Sequence, residues 1–149
     1  MKFRKPITLV VIAIAGFVAD RFLKYLALHE VTFGPPSGGI RFELFPNPDI
    51  AFSLAVPSAW TLWLIPPVLL VFVWLGVRWY RRKDITRAAA AFLVVVASTS
   101  NYLDRIQHGY VVDYISFGEW FPVFNLSDVL IVIGLVLLVV RLDDRKPVA

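Results

Sequence analysis

The chain has 149 residues, 58% of them hydrophobic, with a mean hydropathy of +0.71, a formal net charge of +4 and no cysteine. That length suits one domain, and that apolarity excludes an ordinary soluble fold, so the expected solvent is lipid. Without cysteine there is no thiol nucleophile, disulfide framework or thiolate metal site, and the basic residues lie beside apolar runs rather than on a nucleic-acid-binding surface.

A hydrocarbon core about 30 Å thick takes roughly 20 mostly apolar residues per helical span, and the chain offers four runs of that kind. The first follows the basic stretch Met1-Lys2-Phe3-Arg4-Lys5 and continues through Asp20, Arg21 and Lys24, giving a span over about 7–28. A basic start, an apolar run and small residues also describe a cleavable secretory signal. The Ala13-x-Ala15 pattern leaves only a short core after Ile7, so a retained anchor fits better. Residues 29–59 hold the turn cluster Gly34-Pro35-Pro36-Ser37-Gly38-Gly39, then Ile40-Arg41-Phe42-Glu43-Leu44, whose alternation suits a strand with one apolar face.

The second span is predicted over about 60–77, with a kink at Pro66-Pro67 that membrane helices tolerate when neighbours satisfy the freed carbonyls. The third, over about 88–103, turns polar at Ser98, Thr99, Ser100 and Asn101. The connection 104–125 repeats the strand alternation less clearly in Val111, Asp113, Ile115 and Phe117, with Trp120, Phe121 and Phe124 suited to a membrane interface. The fourth span is predicted over about 126–142. With no repeat and no linker, the expectation is a single domain over 1–149: an all-α membrane protein with four transmembrane helices and a small extracytoplasmic β-containing region.

Orientation follows from the enrichment of lysine and arginine in cytoplasmic loops. With both termini inside, eleven of the fifteen basic residues fall on the cytoplasmic side, leaving Arg21, Lys24, Arg41 and Arg105 outside. Asp20, Glu30, Glu43, Asp49, Asp104, Asp113, Glu119 and Asp128 gather on or near that outer side, so polar chemistry is expected at one face.

Charged groups within or at the edge of a span are costly, which makes them functional candidates. Asp20 and Lys24 are one helical turn apart, and an ion pair accounts for them without any function. Asn47-Pro48-Asp49-Ile50-Ala51-Phe52-Ser53 precedes the second span and is equally readable as a turn. Asn101, Asp104 and Arg105 put an amide, an acid and a base at the outer end of the third span. Asp113 lies among apolar and aromatic neighbours that raise a carboxyl pKa by desolvation. Asn125 reads as the N-cap of the fourth helix, with Asp128 at its third position. Two carboxylates at one face, Asp113 and Asp128, can share a proton, one acting as base toward water and the other as acid toward the oxyanion and leaving amine.

These blocks, Asp20 and Lys24; Asn47, Ala51 and Phe52; Asn101, Asp104 and Arg105; Gly109, Val111, Val112 and Asp113; Phe124, Asn125 and Asp128, resemble in order and topology those of the lipoprotein signal peptidases, or signal peptidase II. The resemblance covers nearly the whole chain. It implies an aspartic endopeptidase of the bacterial cytoplasmic membrane that cuts diacylglyceryl-modified prolipoproteins before the lipidated cysteine at the outer face, amid membrane phospholipid. It also implies Asp113 and Asp128 as the catalytic pair and Asp20, Lys24, Asn47, Asn101, Asp104, Arg105 and Asn125 as substrate-binding or site-shaping residues, with no metal or cofactor. Asp49, Ser100 and Ser127 depart from the glycine, glycine and alanine of that pattern.

Other peptidase chemistries lack their residues. Phe33 stands where a zinc motif starting at His29-Glu30 needs its second histidine, there is no Gly-x-Ser-x-Gly, and a serine–lysine mechanism would have to use the already paired Lys24. The rival non-enzymes are a membrane scaffold, including an inactive relative, and a small transporter. Transport sites sit near the midplane between repeated, broken helices, whereas here the polar groups gather at one side.

Overall fold

A computed structural model describes residues 4–35, 39–48, 58–118 and 121–140. The elements in chain order are α1 (Arg4–Leu28), β1 (Arg41–Asn47), α2 (Ser58–Arg81), α3 (Ile85–His108), β2 (Val111–Ser116) and α4 (Leu126–Val139). The described residues are thus mainly helical with one two-stranded antiparallel sheet. α1, α2 and α3 overrun the spans expected from sequence, while α4 stops three residues short, Val140 being its C-cap. Among the described residues, two helical stretches, Pro6–Leu28 and Trp60–Arg81, are long and apolar enough to cross a membrane.

The third helix fails that test for a structural reason. α3 packs against α1, α2 and α4, so its surface is covered by protein and needs no lipid-compatible side chains. Its buried residues are accordingly small or polar: Ala89, Ala90, Ala91, Ala97, Ser100, Asn101, Asp104 and Arg105, with Leu93 and Val94. Small side chains permit close approach. A Cβ on Gly134 of α4 would stand 3.2 Å from the Ala90 carbonyl oxygen, so only glycine allows this approach to α3.

α1 is inverted relative to a soluble amphipathic helix. Ala13, Asp20, Lys24 and Ala27 turn inward, while Ile7, Val11, Ile14, Val18 and Phe22 are exposed. Charges inside and apolar chains outside are what lipid as solvent requires, because hydrocarbon cannot solvate a charge but tolerates isoleucine.

α2 packs on α3 and runs through Pro66 and Pro67 as one helix. Pro66 has no N–H for the carbonyl of Leu62 four residues earlier, and the Tyr102 hydroxyl of α3 donates to that oxygen at 3.3 Å. A neighbour thus supplies the missing donor. At its far end α2 turns into α3 through Lys83, whose φ of 64° is left-handed, and Asp84, which caps α3 by accepting from the Arg87 N–H.

The sheet lies where α1 and α3 end and α2 and α4 begin. Gly109 ends α3 at φ 81°, a left-handed conformation that glycine adopts without strain, and β2 follows directly. β1 pairs with β2 so that Arg41 faces Ser116, Phe45 faces Asp113 and Asn47 faces Val111, with a bulge between Phe42 and Phe45. β2 is buried almost throughout instead of alternating, because α1 and α3 cover what β1 does not. Tyr114 and Val112 pack on Ala27, Leu23, Phe42 and Leu126, tying the sheet to the helix ends.

Candidate active site

α1, α3, β2 and α4 contribute side chains to a polar region at the sheet end of the bundle. α1 contributes Asp20 and Lys24, α3 Ser100, Asn101, Asp104 and Arg105, β2 Asp113, and α4 Ser127 and Asp128 with the cap Asn125; all are buried except Asp128, which is half-buried. Buried polar groups are stable only when partnered. Two networks supply the partners.

The first is ionic. Lys24 Nζ lies 3.0 Å from Asp20 and 2.7 Å from Asp104, and donates to Asn101 Oδ1 at 2.7 Å. Asp104 also takes the guanidinium of Arg21 and accepts from the Val112 N–H at 3.2 Å. The Asp20–Lys24 pair expected from sequence therefore exists, but Lys24 serves a second carboxylate as well. Asp104 draws its counter-charges from α1, through Lys24 and Arg21, rather than from the adjacent Arg105. That neighbour instead donates to the Asn101 carbonyl at 3.4 Å and lies close enough to Asp104, Asp113 and Asp128 to feel all three charges.

The second network is made of amides. Asn47 Nδ2 donates to Asp113 Oδ2 at 2.7 Å, reaching diagonally across the sheet from two residues beyond Phe45. Asn125 Nδ2 donates to Asp113 Oδ1 at 2.6 Å, and Asn101 Nδ2 to Asp128 Oδ1 at 2.8 Å. Asn125 and Asp128 form a reciprocal capping box at the start of α4, the Asp128 N–H giving to Asn125 Oδ1 and the Asn125 N–H to Asp128 Oδ2. One asparagine side chain therefore grips both aspartates, accepting from the backbone of one and donating to the carboxylate of the other.

Burial pushes the Asp113 carboxyl up to about 7, with the nearby Asp128 charge acting in the same direction. The amides of Asn47 and Asn125, and Lys24 more distantly, oppose that shift without cancelling it. A carboxyl in this range holds a proton near neutral pH and can give it up, as a general acid requires.

Of the residues singled out from sequence, the structure brings together Asp20, Lys24, Asn47, Asn101, Asp104, Arg105, Asn125, Asp113 and Asp128. Asp49, Ala51 and Phe52 lie outside the described residues. Arg21 was legible only as an outward basic residue, and the hydroxyls of Ser100, Ser127 and Tyr114 had no sequence signal as partners. All three hydroxyls converge on Asp20, at 2.7, 2.8 and 2.8 Å.

Fold and site together define a helical protein that gathers four aspartates at one end of its bundle. The profile described as Signal peptidase (SPase) II matches residues 12–142, so the chain belongs to the signal peptidase II family. It is similar to the lipoprotein signal peptidase of Salmonella typhi, 34% identical with 93% of this chain and 89% of that one covered. The corresponding protein of Shewanella loihica is 33% identical over 91% and 87%. A bacterial membrane enzyme solved by the in meso method shares the fold at a TM-score of 0.74, with 22% identity and 95% and 93% of the chains covered.

Proposed function

We propose that this chain removes signal peptides from diacylglyceryl-modified prolipoproteins, cutting before the lipidated cysteine, with Asp113 and Asp128 as its catalytic pair. The observation that carries the reading is the bridge made by Asn125. It holds two carboxylates, the buried Asp113 and the half-buried Asp128, as one unit, and burial pushes Asp113 up to about 7. Asp113 carries the shared proton. Asp128, at the N-terminus of α4 where the helix dipole favours negative charge, is the base.

In this mechanism Asp128 takes a proton from water as the water oxygen bonds to the scissile carbonyl carbon, while Asp113 gives its proton to the carbonyl oxygen. As the tetrahedral intermediate collapses, the C–N bond breaks, Asp128 passes its proton to the leaving nitrogen, and Asp113 recovers its own. Asn47, Asn101 and Asn125 hold the carboxylates. Asp20, Lys24, Asp104 and Arg105 fix the elements that carry them.

All four helices, α1 to α4, cross the bacterial cytoplasmic membrane as one domain, among phospholipids, with both termini inside and the acids at the outer face. The supports are the inverted burial of α1, the basic residues gathered at the α2–α3 turn, and the placement of the sheet at the opposite end. A cysteine placed at position 83 should be labelled from outside only after the cells are opened.

Lipid recognition should dominate affinity, since each methylene buried from water contributes about 0.8 kcal/mol. Purified protein is therefore expected to cleave lipidated precursor at least an order of magnitude faster than the same precursor without its diacylglyceryl group. Equal rates would remove the reading as a lipoprotein peptidase and leave a scaffold or an unrelated protease.

A further inference from the structure

The first turn of α4 leaves four backbone N–H groups without helical partners. Each has found a different acceptor. Asn125 N–H gives to Asp128 Oδ2 at 3.1 Å and Asp128 N–H to Asn125 Oδ1 at 3.0 Å. Ser127 N–H gives to Asp20 Oδ1 at 3.2 Å, and Leu126 N–H to the hydroxyl of Tyr114 at 3.0 Å. Two of the four acceptors thus belong to the capping box, and two come from elsewhere in the fold.

Tyr114 is the residue after Asp113. Successive side chains of a strand point to opposite faces, so β2 sends Asp113 toward the amide network and Tyr114 toward α1. The Tyr114 hydroxyl accepts from the start of α4 and donates onward to Asp20 Oδ1 at 2.8 Å. Asp20 in turn is held by Ser100, Ser127 and Lys24. A chain of contacts therefore runs from α4 through Tyr114 to the buried carboxylate of α1, with the strand carrying the first aspartate locked to the helix carrying the second. Burial and the Asp20 charge hold the Tyr114 phenol far above its ordinary titration range, so it remains a hydroxyl donor at every working pH.

We propose that Tyr114 is a positioning residue for catalysis, whose hydroxyl fixes the spacing between Asp113 on β2 and Asp128 on α4. The inference rests on the reading of those two aspartates as the catalytic pair. Its specific content is that the tyrosine oxygen, and not merely the ring, is needed. The ring packs with Phe42, Ala27 and Val112 and would do so equally as phenylalanine.

The test is Tyr114→Phe in the full-length purified protein, compared with parent and with Tyr102→Phe, which loses a hydroxyl on the α2 side of α3. Displacement of reacting groups by about 1 Å costs on the order of a hundredfold in rate. Tyr114→Phe should accordingly lower kcat for lipidated precursor by about 10- to 100-fold, with KM within about twofold. The alkaline limb of its kcat–pH profile should also move, because Asp113 feels Asp128 less or more when their spacing changes; the other charged residues around the pair, Lys24, Asp20, Asp104 and Arg105, remain in place, Asp20 losing only the Tyr114 hydroxyl and keeping Lys24, Ser100 and Ser127. Tyr102→Phe should change neither kcat nor that limb.

Should Tyr114→Phe not fold, replacing the Leu126 peptide N–H with an ester oxygen removes the same bond from the helix side and should give the same loss. Folded protein of either kind with parental kcat and an unmoved pH limb would overturn the proposal. The two hypotheses fail separately. If Asp128→Asn still turns over, the catalytic pair is wrong, whereas an inactive Asp128→Asn beside a fully active Tyr114→Phe rejects only the tyrosine's role.

Discussion

Two pairs of aspartates lie side by side in this molecule and are treated in opposite ways. Asp20 and Asp104 share Lys24, and Asp104 takes Arg21 as well, so each negative charge has a cation in contact. Asp113 and Asp128 are held by the neutral amides of Asn47, Asn101 and Asn125. An ion pair fixes a carboxylate in its charged form, whereas amide donors hold its geometry while leaving the charge only partly compensated. In the proposed mechanism the same residue type is therefore a strut in one place and a proton-exchanging group in the other, and the difference lies in whether the nearest donor carries a charge.

The sharpest way to break this contrast is to remove proton exchange from one group at a time. Asp113→Asn and Asp128→Asn keep the side-chain shape, and each should reduce cleavage of lipidated precursor by about a thousandfold or more while the protein remains folded. Electrophoretic separation of precursor from product, run beside thermal unfolding in detergent, checks both halves. In the ionic group the expectation is reversed: folded Asp104→Asn should keep turnover within about tenfold of parent. Lys24→Met should cost roughly 3–5 kcal/mol of stability, because it strands two buried carboxylates without their shared cation. An unfolding midpoint equal to the parent's would show that Lys24 is not the counter-charge it looks to be.

A finer test is pH. The Asp113 carboxyl, raised from 3.8 to about 7, is protonated below that value and charged above it. Its proposed acid function is therefore present below about 7, and kcat should fall about tenfold per unit on the alkaline side. Stability moves in the same direction. Between 3.8 and about 7 the folded chain holds a proton that the unfolded chain has released, so this group's contribution to stability falls as pH rises through that window. In Asp113→Asn both the limb in kcat and this part of the stability slope should disappear. The smallest effect is expected far from either group: Tyr102→Phe leaves the Leu62 carbonyl beside Pro66 without its donor and should lower stability by about 1 kcal/mol, with activity unchanged.

Much of the molecule was legible before any coordinates. Apolar runs set the helices because lipid solvates only apolar surface, and Asn125 and Asp128 read as a cap because capping is a local, three-residue interaction; Ile40–Leu44 marked a strand, but β1 runs Arg41–Asn47 with a bulge between Phe42 and Phe45 and without the expected alternation in burial. The amide and acid candidates came from blocks recognisable in order along the chain. Local signals did not name the partners: Asp104 and Arg105 are adjacent in sequence, yet neighbours in a helix face different directions, and Asp104 pairs with Lys24 and Arg21 of α1.

The sequence by itself determined the number of apolar runs, the side on which polar residues gather and the residues able to do acid–base chemistry, since each depends on composition or on spacing within one element. Only the tertiary structure decided which acid would be neutralised and which left to titrate. Ser100, Tyr114 and Ser127 reach Asp20 across 80, 94 and 107 residues of chain. Their convergence depends on how α1, α3, β2 and α4 pack against one another, and a carboxyl's protonation follows from the donors and charges that this packing places around it.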